Sequence, residues 1–147
     1  MLFRSDQLLV KNRNGRDKDG KRIDIQNPKS VIRNAEGKTG EKECWGYVSA
    51  WCDYSGEIDG KPVGVAVFAD PNNKYPSAWH VRDYGLMAAN PFGRNHSGFP
   101  GMKGRTDLVK MDKGERLVLR FGIFTHTGNA ESGKVAEAFK AFVSARD

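Results

Sequence analysis

One stretch constrains the fold more than any other. It runs Trp51-Cys52-Asp53-Tyr54-Ser55-Gly56-Glu57-Ile58, then Asp59-Gly60, then Lys61 to Phe68, with Val63, Val65 and Val67 two residues apart. A period of two marks a pleated strand with one face buried. Asp-Gly between two such runs marks a tight hairpin turn, in which both central residues take positive φ. The chain is therefore expected to build its core around an antiparallel hairpin. Just upstream, Trp45, Tyr47 and Trp51 alternate with Val48, Ala50 and Cys52, which predicts that the first strand starts at Cys44 and is buried on both faces.

The flanking pattern extends the same theme. Pro71–Pro76 reads as a loop, and residues 78–90 as one or two strands. Residues 90–104 are rich in Gly and Pro and predict a long ordered loop at the surface. After a turn at Lys113-Gly114, a strand is expected over Glu115–His126, with Leu117, Leu119, Phe121 and Ile123 on one face. At the C-terminus the period changes. Val135, Phe139, Phe142 and Val143 sit at i, i+4, i+7 and i+8, which predicts a helix over 130–145 with Asn129 as N-cap and Glu131 in its first turn. Residues 1–42 form a polar arm with strand candidates at Asp6–Val10 and Lys21–Ile25 around an Asp19-Gly20 turn, and residues 43–147 form the core. The expected class is mainly β, an antiparallel β-sandwich with one C-terminal helix.

Composition removes several functions. The hydrophobic fraction of 38% belongs to a globular chain. The apolar run Leu86-Met87-Ala88-Ala89 is far short of the ~20 residues a membrane helix needs, so a soluble protein is expected. Met1-Leu2-Phe3 meets Arg4, Ser5 and Asp6 at once, with no apolar leader. That fits either a cytoplasmic chain or one whose true N-terminus lies elsewhere, so localisation stays open. Charge is uneven: residues 1–42 hold eleven Lys/Arg against six Asp/Glu, and the rest hold thirteen against twelve. The basic segment Asn12–Arg22 mixes signs and has no interleaved aromatics, so a solvated turn is favoured over nucleic-acid binding. On one continuous strand Cys44 and Cys52 would lie about 26 Å apart, which excludes a bridge unless the chain turns between them. They are expected to be small buried residues.

Three constellations carry potential chemistry. In Trp79-His80-Val81-Arg82-Asp83-Tyr84, strand alternation puts His80, Arg82 and Tyr84 on one face and Trp79, Val81 and Asp83 on the other. An imidazole is a general acid or base near neutral pH, and a guanidinium grips carboxylates or hydroxyls with a fork of donors. Aromatic rings supply flat surfaces for a sugar ring. Asn90-Pro91-Phe92-Gly93 is expected first as a structural turn, with the alternative that it places Asn90 or Phe92 beside a ligand. The third set, Asp53, Glu57, Asp70, His96 and His126, is scattered and lacks any recognised metal spacing. His126 is expected to share a face with Arg120 and Phe124, and His80 and His126 have the option of meeting across strands. No metal and no cofactor is expected. Gly37-Lys38-Thr39 fails as a phosphate-binding loop, because Ile32 stands where the first Gly is required.

These residues also resemble a known family. Cys44-Trp45-Gly46, Trp51–Gly56, Asp59-Gly60-Lys61 and Gly64–Phe68 are similar to a bacterial family of unknown function often labelled "methane oxygenase PmoA". The likeness continues through Trp79–Leu86, Ala89–Gly93, Gly114-Glu115, the 120–126 strand and Gly128-Asn129, over about residues 34–143. That label belongs to an integral membrane subunit, so it is expected to be a misnomer here. What the resemblance implies is a soluble sandwich, part of a galactose-mutarotase-like supersandwich, that binds or processes a carbohydrate or sugar derivative. An epimerase, hydrolase or lyase is the kind of enzyme implied. His80, Arg82 and Asp83 are then the catalytic candidates, and Trp79, Tyr84, Asn90, Phe92 and His126 the ligand-binding ones. Typical members are about twice as long, so a missing N-terminal half or a second copy is the other expected partner. The competing expectation is a non-catalytic sandwich module.

Overall fold

The computed structural model describes residues 2–4, 19, 30–107 and 109–145. The hairpin forms as the period of two demands. Strand β3 (Trp51–Ile58) pairs antiparallel with β4 (Lys61–Ala69), with Trp51 opposite Phe68 and Ile58 opposite Lys61. Asp59 (φ 50°) and Gly60 (φ 76°) both take positive φ, the conformation that matches the twist of the two strands. Beside β3 lies β2 (Val31–Asn34), and beside β4 lies β7 (Phe121–Thr127), giving a four-stranded antiparallel sheet in the order β2-β3-β4-β7. A second sheet has the order β1-β6-β5, built from Leu2–Arg4, Leu86–Asn90 and Ala78–Arg82.

The two sheets enclose the main core. Cys52, Tyr54, Val65 and Val67 face Trp79, Val81, Met87 and Ala89, all buried. Each large apolar side chain enclosed there contributes about 1.5–3 kcal/mol. The opposite face of the four-stranded sheet carries Trp51, Ala66, Phe68 and Phe124, and helix α2 (Val135–Ser144) covers it with Val135, Phe139 and Phe142. Arg120 ties this helix down. Its Nη2 donates to the carbonyls of Phe142 (3.0 Å) and Ala145 (3.1 Å), while Nη1 donates to the buried carboxylate of Asp70 at 2.9 Å.

Three expectations need correction. The chain from Cys44 to Ala50 is not strand. Residues Gly40–Cys44 form a short helix, α1, and the strand begins only at Trp51. The last long strand starts at Phe121 rather than Glu115. Val118 is 78% exposed, and Asn73 rather than a neighbouring strand takes the backbone of Arg120, accepting from its N–H (2.8 Å) and donating to its carbonyl (2.9 Å). Asn129 does not cap α2. Its Oδ1 accepts from Glu131 and Ser132 N–H in a preceding turn, and Lys134, at φ 55°, leads into the helix.

The strand candidates at 6–10 and 21–25 lie outside the described residues. Because the chain turns between Cys44 and Cys52, both reach the same core, as buried free thiols. Burial, reinforced by Glu43 and Glu36, pushes Cys44 up to about 11, and burial raises Cys52 well above its ordinary value. Neither is a nucleophile near neutral pH.

Candidate functional site

Strand β5 sends Trp79 and Val81 into the inter-sheet core, so His80 and Arg82 emerge on the outer face of the three-stranded sheet. Two aromatic rings meet them there. Trp45, just past α1, stands edge-on to the His80 ring at 6.2 Å, and Phe99 lies 5.8 Å from it. Trp45 and Phe99 touch edge to face at 4.9 Å. The Arg82 guanidinium sits 5.1 Å from the Trp45 ring and donates through Nη1 to Glu41 Oε1 at 2.5 Å. Both partners are about 30% exposed, so this pair adds about 0.5–1 kcal/mol and acts mainly to orient Arg82. The Trp45 indole N–H is enclosed without a hydrogen-bond partner among the described residues.

The His80 imidazole makes no hydrogen bond among the described residues. Partial burial and then the Arg82 charge push it below the ordinary imidazole value, against a smaller opposing pull from Glu41. The ring is thus neutral near pH 7, with a lone pair and an N–H both available. Such a group can accept a proton or hydrogen-bond a hydroxyl.

The rim of this face is a turn held from two sides. From the core, the Tyr54 hydroxyl donates to the Asp83 carbonyl (2.7 Å) and accepts from Gly85 N–H (3.1 Å). From α1, Glu41 Oε2 accepts the Asp83 N–H at 2.9 Å. The Asp83 carboxyl is exposed, and partial desolvation followed by Glu41 repulsion raises it above the usual carboxylate value. Because β5 ends at Arg82, Tyr84 lies in the turn, 39% exposed, and does not share the face of His80 and Arg82. Asp83 likewise does not point inward with Trp79. Trp79 is sealed in the core, its indole N–H donating to the Ser49 carbonyl at 2.9 Å, out of reach of a surface ligand.

Asn90 spends its Oδ1 on Phe92 and Gly93 N–H (3.0 and 3.1 Å), which shapes the turn and leaves Phe92 55% exposed. Arg94, a residue the sequence did not mark, locks the loop that carries Phe99. It is buried, and its Nη1 donates to the carbonyls of Pro91 (2.9 Å) and Gly93 (2.6 Å).

His126 occupies a different environment. It shares a face with Phe124 and Arg120, as alternation predicts, and that is the face covered by the chain leading into α2. The core lies between the two sheets, so His126 and His80 project from opposite outer faces and do not meet. Instead His126 Nε2–H donates to Asp53 Oδ1 at 2.7 Å, and the Ser55 hydroxyl donates to Asp53 Oδ2. Both side chains of the dyad are almost wholly enclosed, at 3% and 1% exposure. Two glycines make the slot. A Cβ on Gly64 would come within 2.6 Å of His126 Nε2, and one on Gly133 within 2.6 Å of His126 Cγ. Burial raises the Asp53 carboxyl above its usual value, while hydrogen bonds from Ser55 and His126 pull it back. Ser, His and Asp are all present, but the hydroxyl bonds the carboxylate and not the imidazole. Ser55 is therefore not activated as a nucleophile, and the dyad is closed off from solvent.

Glu57, Asp70 and His96 stay apart from this dyad, and no cluster of three or more His, Cys, Asp or Glu suited to a metal occurs among the described residues.

The fold defines an antiparallel two-sheet protein covered by one helix, with a partly open His80 on the outer face of the smaller sheet. The chain belongs to DUF6807, a family of unknown function whose model matches residues 21–140. The matched range includes both histidine centres. No curated protein and no solved structure matches the chain.

Proposed function

We propose that this chain binds a carbohydrate or sugar derivative on the outer face of the three-stranded sheet, with His80 as the central polar contact and the acid/base candidate. One observation carries the reading. The His80 imidazole, held neutral, has no hydrogen-bond partner among the described residues and sits between two aromatic rings and an oriented guanidinium. The partly exposed Trp45 ring beside an unspent imidazole suits a sugar ring, with its apolar C–H face and polar rim, while the buried Phe99 only backs the His80 ring. Within this reading the methane oxygenase PmoA label is a misnomer, and a galactose-mutarotase-like sandwich is the fold family we assign. No helix among the described residues is long and apolar enough to cross a membrane.

The test is thermal denaturation across a panel of neutral, acidic and keto sugars, repeated with His80→Ala. At least one sugar is expected to raise Tm, and the variant to lose the response while keeping its fold. A flat response of the wild-type protein across the panel would sink the reading.

A second reading, a non-catalytic interaction module, draws on strand β7. It is an outer strand of its sheet, and Ile123 is 58% exposed although it points to the core-facing side. Apolar outer strands are pairing sites. A strictly monomeric protein in light scattering at high concentration counts against this reading.

A further inference from the structure

A groove of about 330 Å³ opens between the turn that follows β2, helix α1 and the segment Tyr47-Val48. None of its lining residues belongs to the His80 face. Backbone bonds hold its walls. Asn34 N–H donates to the Lys38 carbonyl (3.1 Å) and Gly37 N–H to the Asn34 carbonyl (3.0 Å), which closes the turn. Ala35 N–H is tied to the Ser49 hydroxyl (3.1 Å), and the Tyr47 carbonyl accepts from Trp79 N–H (2.9 Å).

Asn34 is the unusual member of the lining. The residue is only 3% exposed. Its Oδ1 accepts the Lys38 N–H at 2.9 Å, which fixes the orientation of the amide. Its Nδ2 has no hydrogen-bond partner among the described residues. That nitrogen is not sealed either, since the enclosed and unpartnered side-chain atoms there are Trp45 Nε1, Ser77 Oγ and Arg94 Nε. A nearly buried amide donor therefore meets the groove unspent, where such groups are almost always paired. Around it stand Lys38 and Lys42, both exposed and neither in an ion pair among the described residues. Of the two carboxylates, Glu43 already accepts the Thr39 N–H (3.2 Å), while that of Glu36 is unspent. The half-open Tyr47 and Val48 add apolar surface.

We infer that this groove binds a free amino acid with an apolar side chain. The ligand carboxylate accepts from Asn34 Nδ2 and a lysine ammonium, the ligand ammonium donates to Glu36, and the side chain lies on Tyr47 and Val48. Charge decides the class. A multiply charged anion would face two carboxylates, and a simple cation would face two lysines, whereas a ligand carrying both signs suits the whole lining. Size agrees, because the volume sits at the lower end of small-molecule pockets, roughly 300–1,000 Å³. The inference concerns a different site from the His80 face and does not rest on that reading.

The test is a titration of the whole chain with L-leucine and L-phenylalanine, followed by amide NMR. N-acetyl-L-phenylalanine, L-phenylalanine amide and inorganic phosphate are run beside them. At least one amino acid is expected to move the Asn34, Lys38 and Val48 amides, and each blocked derivative to bind about tenfold more weakly than L-phenylalanine. Asn34→Asp keeps the acceptor for Lys38 N–H but replaces the free donor with an oxygen, and should weaken binding about tenfold. Lys42→Met and Glu36→Gln change exposed side chains, leave the fold intact, and should each weaken it about threefold. His80→Ala should leave binding unchanged. The inference is overturned if neither amino acid moves the groove amides, if the blocked derivatives bind as tightly as L-phenylalanine, or if phosphate alone binds. Should Asn34→Asp fail to fold, unchanged affinity in both Lys42→Met and Glu36→Gln overturns it as well.

Discussion

His80 and His126 stand on opposite outer faces of the same sandwich, and the chain treats them in opposite ways. His126 is closed in by Gly64 and Gly133, stacked on Phe124 (5.7 Å) and bonded to a buried Asp53. His80 is left half-open, edge-on to Trp45 and tilted against Phe99, with its nitrogens unspent among the described residues. A buried, fully engaged imidazole works as a fastener between strands, because breaking it leaves its partner charge stranded. A desolvated but unpartnered one keeps its chemistry in reserve. Residue type alone does not separate these roles, but the neighbours do.

The comparison can be broken most forcefully at His126. Replacing it with Ala strands the Asp53 carboxyl and opens a cavity, so urea denaturation should show a loss of about 3–5 kcal/mol. A loss under about 1 kcal/mol would mean the dyad is not a fastener. Gly133→Ala forces a methyl group against the same ring and should cost about 1–3 kcal/mol by the same measurement, with no effect on any sugar response.

Between the two centres lies Tyr54. Tyr54→Phe deprives the Asp83 carbonyl and Gly85 N–H of their buried partner and should cost about 1–2 kcal/mol. It should also speed amide exchange at Gly85, and unchanged exchange there would show that the turn holds itself.

The smallest effect is the pH response of His80. Its folded value is depressed, so its neutral form contributes stability that is fully present above about pH 6.5 and lost as pH falls through the folded value. His80→Gln lacks that loss. Its Tm relative to wild type should therefore rise from pH 7.5 to pH 5, and a constant difference would place His80 with the engaged histidine after all.

How much of this was legible in the sequence depends on the range of the contacts. The β3–β4 hairpin was, because its signals are local: alternating valines and an Asp-Gly turn. The helical face of Val135, Phe139 and Phe142 was, for the same reason. Helix α1 was hidden because five residues carry no periodicity, and Trp45 beyond it continued a strand-like alternation. The segment 115–120 alternates convincingly, yet alternation makes a strand only where a neighbour supplies hydrogen bonds. In the site, the neighbours were the missing information. Trp45 and Phe99 reach His80 from far along the chain, and Asp53 meets His126 across 73 residues through strand register alone. Phe99 left a faint trace, an aromatic between Gly98 and Pro100 in a Gly- and Pro-rich loop. Ser55 left another, two residues from Asp53 on the same strand face.

The doubly held turn at Asp83–Gly85 has a kinetic consequence. With Tyr54 fixing it from below and Glu41 from the side, the rim of the His80 face is set when the chain folds, not when a ligand arrives. Association there should proceed in a single phase, with no slow isomerisation after encounter. Affinity differences between ligands would then sit in their dissociation rates.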